Sequence, residues 1–294
     1  MFKQLCPNCK DSFERVESRT KVISYGRFFR KSDKKYIRRF KCLKCLRHFS
    51  SASLDRCYWQ RKRHYNSTIM GLLASGNTQR RTAILLGINR KTVARKLIFI
   101  GNLAIDVIKT DNRYYKKVHS FEFDDLETYE HTKCKPLSVT LAVETKTRRI
   151  LGFSVSRMPA KGRLAVKALK KYGRRPDERS FGRKRLFSEI KNCIAPGALI
   201  KSDQNPHYVK DVRRYFPDSV HIAYKGRKPC DSGLGELKEG IFDPIFSLNH
   251  TFAKLRSDIS RLIREKWTTT KKPDRLYLHI AIMAFFHNKM LNQR

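Results

Sequence analysis

Four cysteines in two CxxC pairs, CPNC (Cys6, Cys9) and CLKC (Cys42, Cys45), are the residues whose type and spacing most directly specify a chemistry. Each pair turns tightly enough to aim two thiolates at one ion, and two such knuckles complete a tetrahedral zinc shell. Four thiolates leave no open position, so a Zn2+ held there is structural and contributes roughly 10–16 kcal/mol to folding. The rival use of CxxC, redox exchange, needs a strand-helix pattern that neither pair has around it. The intervening RVESRTKVISYGRFFRKSDKKYIRRFK reads as short strands with a basic turn, so residues 1–55 are expected to form a zinc ribbon. Its Arg27, Arg30, Lys34, Lys35, Arg38 and Arg39 are candidate phosphate contacts. The remaining Cys57, Cys134, Cys193 and Cys230 are single, which suits a reducing cytosol with one metal site better than a disulfide framework.

A second set is acidic. FDDLET ends an alternating run with Asp124 and Asp125, and GALIKSDQNPHY carries a short apolar segment up to Asp203. Two carboxylates at neighbouring strand ends offer hard oxygens to Mg2+ or Mn2+. A pair of such ions about 3.5–4 Å apart activates a water or a 3′-hydroxyl and stabilises the leaving oxygen of a phosphodiester. An ordinary cap or turn role is the alternative for either Asp. Asp125 is the neighbouring alternative to Asp124, although strand alternation points it to the other face.

The elements that must position these acids follow from periodicity. HSFEFDDLET, PLSVTLAVE and RRILGFSVS, the last two separated by turn-prone TKTR, suggest an antiparallel meander. A basic stretch, AKGRLAVKALKKYGRRPDERSFGRKRLF, leads to a helix-like LFSEIKNCI, then the strand ending at Asp203, a helix HYVKDVRRYF and a strand SVHIAY. In FSLNHTFAKLRSDISRL, Leu248, Phe252, Leu255, Ile259 and Leu262 recur at helical spacing with one buried stripe, and a last helix lies near DRLYLHIAIMAFFHNKM. Three strands, helix, strand, helix, strand, helix is the order of the ribonuclease H-like fold, a mixed sheet flanked by helices. In it the first strand lies beside the fourth and Asp124 meets Asp203. Residues 119–294 are expected to form this α/β catalytic domain.

Residues 56–118 are expected to hold a linker and a helix-turn-helix. In SGNTQRRTAILLGINRKTVARKLIFIG, Ala83, Leu85 and Leu86 supply one apolar helix face, Gly87 breaks it, and Asn89 caps a helix whose Val93, Leu97 and Ile98 face inward. Arg90, Lys91, Thr92, Arg95 and Lys96 lie between them, the layout of a recognition helix with a basic front for the major groove. Two packed structural helices would look similar. The preceding RCYWQRKRHYNS is basic and aromatic, suited to phosphate contact.

Together the motifs CPNC and CLKC, RRTAILLGINRKTV, FDDLET, MPAKG before KKYGRRPDER, KSDQNPHY, GELKEG, LNHTFAKLRSDISRL, TTTKKPDRL and FFHN resemble transposases of small bacterial insertion sequences. These are the ones with an N-terminal zinc ribbon, a helix-turn-helix and a DDE catalytic domain, and the resemblance covers nearly the whole chain. It implies cleavage and joining of DNA strands at element ends by two-metal chemistry, with Asp124 matching the first acid and Asp203 the second. In many relatives a Glu opens the helix whose LR pair matches Leu255 and Arg256; here that position is Asn249. Three readings of this departure stand open. Asn249 supplies its amide oxygen to the metal; or Glu236 or Glu239, in the glycine-rich SGLGELKEG, takes the role; or the chain is catalytically dead. Arg256, seven residues on and nearly in line with Asn249 on a helix, is placed to hold a phosphate. Asp258 falls on the opposite flank, where a surface pair with Arg261 suits it, and His250 is read as a surface or capping residue.

The charge balance agrees with a polyanionic partner: 65 Lys and Arg against 26 Asp and Glu leave a formal +39. Double-stranded DNA is the partner expected, bound by a homodimer or higher assembly, with Lys161 to Arg185 and the TTTKK run as further backbone contacts. The longest apolar run, LYLHIAIMAFF, is interrupted by His279 and too short for a bilayer, and no secretory signal opens the chain, so a cytoplasmic, nucleoid-associated place is expected. The alternative function is an inactive DNA-binding regulator that keeps the fold. An RNA-binding zinc-ribbon protein would leave the two Asp-bearing strand ends unexplained.

Overall fold

The computed structural model describes residues 6–9, 22–31, 34–225, 243–263 and 268–291. The chain divides into two compact units, residues 1–68 and 69–294.

The first unit is a three-stranded antiparallel sheet in the order β1-β2-β3, with β1 at Val22–Arg30, β2 at Lys35–Cys42 and β3 at His48–Ser50. A bulge interrupts the β1–β2 ladder between Ser24 and Arg27, where Gly26 takes φ +82°, a left-handed conformation that costs glycine no Cβ clash. Its small core is Phe40, Phe49 and the cysteines.

The second unit opens with α1 (Asn66–Ala74), which begins within the first unit's residues, then α2 (Gln79–Leu85) and α3 (Arg90–Tyr114). The meander follows: β4 (Val118–Tyr129), β5 (Pro136–Glu144) and β6 (Ile150–Arg157) pair antiparallel. Helices α4 (Leu164–Tyr172) and α5 (Arg179–Ile190) lead to β7 (Ile194–Asp203), then α6 (Pro206–Tyr215), β8 (Val220–Tyr224), α7 (Phe246–Asp258) and α8 (Pro273–Leu291). The sheet order is β6-β5-β4-β7-β8, with β4 parallel to β7 and β7 to β8, so the first strand does lie beside the fourth. Helices cover both faces. Helices α3, α7 and α8 close one core over β4–β6, and α5 and α6 close the other over β4 and β7. That explains why β5 is buried along almost its whole length instead of alternating.

Three expectations change. The basic stretch holds two helices: Gly173 at φ +72° ends α4, Pro176 follows, and α5 starts ahead of the expected LFSEIKNCI. Helix α7 stops at Asp258, yet Ile259 and Leu262 are still buried, reached from a turn. Thr268 donates to the Ser260 carbonyl (2.9 Å) and Arg261 to the Thr269 carbonyl (3.2 Å), which holds the chain away from another helical turn. Asp258 pairs with Lys254 (2.8 Å) on its own helix rather than with Arg261.

The last helix is tied to the meander by side chains. Asn288 accepts from Ile150 N and donates to Ile150 O, both at 2.9 Å, and His287 donates to the Arg148 carbonyl at 2.8 Å. Among the described residues no helix is long and apolar enough to cross a membrane.

Candidate active site and metal centre

The four cysteines converge as their spacing requires. Their sulfurs all lie within 4.8 Å of one another, with Cys6 to Cys45 at 3.7 Å and Cys9 to Cys42 at 3.9 Å. A metal–sulfur bond of about 2.3 Å in a tetrahedron sets sulfurs about 3.8 Å apart, so the donor set fits one ion of the kind zinc is. Arg47 Nη1 donates to Asn8 Oδ1 at 2.8 Å and ties one knuckle to the other. Burial and the three neighbouring thiols push Cys9 up to about 12, whereas the Arg47 backbone N–H pulls Cys45 down to about 7. A shared cation would relieve the first and exploit the second.

In the second unit the β4–β7 ladder runs Ser120 to Leu199, Phe121 to Ile200 and Glu122 to Lys201, and this register carries Asp124 towards Asp203. Asp203 is the last residue of β7, as expected; Asp124 is not at a strand end, because β4 continues along β5 to Tyr129. What ends beside Asp124 is the pairing with β7. Asp124 Oδ1 accepts from the Asp125 backbone (2.7 Å) and from the Tyr208 hydroxyl (3.0 Å). Burial, then the charge of Asp203, raises Asp124 to about 7 against those two donors. Asp203 is also raised, first by burial, while its Oδ1 accepts from Asn205 N at 3.2 Å. Asn205 in turn caps α6 through His207 N (3.1 Å). An open cleft of about 470 Å³ beside Asp203 is lined by Lys161, Arg179 and His207 among others.

Asp125 serves a different purpose. It accepts a short hydrogen bond from Thr140 and lies 3.8 Å from Arg183, whose Nε bonds Asp211 of α6 at 2.7 Å. This buried network fixes α5 and α6 on the sheet, and it takes Arg183 out of the basic stretch expected to meet DNA.

The first turn of α7 is anchored next to the acid pair. Glu122, 1% exposed, accepts from Leu248 N at 2.8 Å, and its strand neighbour Lys201 donates to the Pro244 carbonyl at 3.2 Å. Glu122 and Lys201 lie two residues before Asp124 and Asp203, about 7 Å along their strands. Asn249 lies in that same turn, and its Nδ2 donates to Asp243 Oδ2 at 2.9 Å. Asp243 Oδ1 accepts from Ile245 N (3.1 Å), so this acid is held from both sides. Among the described residues, the cysteines form the only group of three or more ligating side chains. Glu236 and Glu239 lie outside the described residues, as does Cys230. Arg256 is half-buried, and His250 packs on Phe246 with Arg148 Nη1 3.1 Å from its Nε2. Pattern reading missed Glu122, Lys201, Tyr208 and Asp243; only Glu122, on the same strand face as Asp124, carried a signal.

The helix pair is built as expected at its turn. Thr78 caps α2 through Arg81 N (3.1 Å), Gly87 takes φ +59°, and Asn89 caps α3 through Lys91 N (2.8 Å). Arg90, Lys91 and Arg95 are exposed and Thr92 half-buried. Lys96 is a correction: it is 4% exposed and so does not belong to the outward front. Leu85 is another, exposed where Thr82 and Ala83 carry the buried face of α2. The far half of α3 packs on α8, where Gly101 meets Leu278.

No protein-family model matches this chain, and a comparison with curated proteins finds no match.

Proposed function

We propose that this chain is a transposase of the insertion-sequence type that binds double-stranded DNA at element ends and cuts and joins strands with Mg2+ or Mn2+ held at Asp124 and Asp203. The observation that carries the reading is the parallel pairing of β4 with β7, which sets two half-buried carboxylates side by side with a cationic cleft at one of them. The sheet order β6-β5-β4-β7-β8 supports assigning the second unit to the ribonuclease H-like fold. When bound, paired divalent ions supply the activated water or 3′-hydroxyl and the charge that stabilises a leaving oxygen.

The chain's own residues do the rest. Tyr208 orients Asp124 by its 3.0 Å hydrogen bond, and Asn205 orients Asp203. Lys161 and Arg179 line the cleft as phosphate contacts, and Glu122 with Lys201 sets the turn of α7 that brings Asn249 to the site. Asn249 would be the third ligand through its amide oxygen, and Arg256 would steady the phosphate. Zn2+ on Cys6, Cys9, Cys42 and Cys45 holds the ribbon, and Arg90, Lys91, Thr92 and Arg95 read the duplex. A homodimer on DNA in the bacterial nucleoid completes the reading.

A catalytically inactive DNA-binding regulator is favoured by one observation: among the described residues no third acidic side chain joins Asp124 and Asp203 in a ligating group. A strand-transfer assay on DNA carrying the element ends, with Mg2+ or Mn2+, separates the two. Joining by the wild type, lost in Asp203→Asn while DNA binding persists, supports the transposase. Binding without joining under either metal supports the regulator.

A further inference from the structure

At its cysteine end the sheet of the first unit has two unlike faces, while farther along the sulfur-facing side Phe29 and Tyr36 lie exposed. Directly opposed residues share a face, so Val22, Cys42, Phe40 and Phe49 look towards the sulfurs. The other face carries Ile23, Lys41 and His48 in one row across the three strands, Phe28 opposite the buried Ile37 in another, and Arg39 on β2. Tyr25 belongs with it: its ring meets His48 edge-on at 4.3 Å and the Arg39 guanidinium lies over it at 5.4 Å. Tyr25 is 48% exposed, and Ile23 and Phe28 are nearly as open. An exposed sheet face of aromatic and aliphatic side chains is an aggregation liability unless something uses it.

We propose that this face is a stacking platform for unpaired bases of single-stranded DNA. Rings lying open between Arg39, Lys41 and His48 offer a base a π-face to stack on and its phosphates a cation within reach, the combination single-strand binders use. The formal +39 of the chain favours a polyanion over a polypeptide as the occupant. The platform involves neither the acid pair nor the recognition helix. It goes beyond the transposase reading and holds for an inactive regulator as well.

The test uses the full zinc-loaded chain and fluorescence anisotropy with labelled oligo-dT and a duplex of equal length, at about 0.15 M salt. Tyr25→Ala and Phe28→Ala should each weaken oligo-dT binding about ten-fold while leaving duplex affinity within about two-fold, because ten-fold lies within the range one stacked base carries. Tyr25→Phe, which keeps the ring, should bind as the wild type does. The readout is binding of oligo-dT and not strand joining, so failure of the catalytic reading is read separately from failure of this one. A Co2+–thiolate absorption band, retained in each variant, shows that the ribbon still folds. Equal losses on duplex and single strand, no loss on either, or an oligo-U strand bound ten-fold tighter than oligo-dT would overturn the proposal. A wild type that does not bind oligo-dT at all would do the same and leave the face to a protein partner.

Discussion

Replacing Glu122 tests how the second unit places α7. The side chain is 1% exposed, accepts from Leu248 N at 2.8 Å and faces Lys201 across the β4–β7 ladder. Glu122→Ala leaves a buried N–H without its acceptor, which should cost about 1–3 kcal/mol. For a unit of this size that is roughly 2–12 °C in Tm. Glu122→Gln keeps an oxygen facing Leu248 N and should cost about half as much or less. Urea unfolding followed by circular dichroism measures both, with metal content of the ribbon held constant. An Ala variant within about 1 kcal/mol of the wild type, or a Gln variant as damaging as Ala, would refute the anchoring role.

Asn249→Ala should cost under about 1 kcal/mol in the same assay, because its bond to Asp243 is exposed, yet should reduce strand joining at least ten-fold. Gly101→Ala places a Cβ 2.8 Å from Leu278 Cβ, so the crowding, about 1–3 kcal/mol, should outweigh the helix-propensity gain of about 1 kcal/mol, and a raised Tm would contradict the close α3–α8 approach. His279, 4% exposed with Gln79 Nε2 at 3.3 Å, is held down to about 3 by burial and then by Arg261. The unfolded chain takes up a proton near pH 6.5 and the folded chain does not, so this stability is complete above about pH 6.5 and declines towards pH 3. Between pH 7 and 5 the wild type should lose about 2 kcal/mol more than His279→Gln, measured by urea midpoints; equal losses would sink the assignment.

The meander and the β4–β7 adjacency were legible because strand period and chain order act locally and leave few topologies. Cys6, Cys9, Cys42 and Cys45 were legible for the same reason, since each knuckle is a four-residue turn. The buried stripe of α7 was legible as hydrophobicity but not as helix: Ile259 and Leu262 reach the same core from a turn that Thr268 and Arg261 set up. Lys96 illustrates a related limit, because a long apolar stem lets a basic residue lie buried where its charge suggests a front. Glu122 with Leu248, and Arg183 with Asp125 and Asp211, were illegible because each joins residues far apart in sequence through single side-chain contacts.

The central claim is that Asp124 and Asp203 together hold a divalent cation that the chemistry needs. Electron paramagnetic resonance of free Mn2+, titrated into the zinc-loaded chain, measures this without requiring the element-end sequence. The account predicts that the wild type removes free Mn2+ from solution and that Asp124→Asn and Asp203→Asn each weaken this by ten-fold or more, while Asp125→Asn, where it still folds, does not. Mn2+ uptake that is absent in the wild type, or unchanged in both Asp124→Asn and Asp203→Asn, would contradict it.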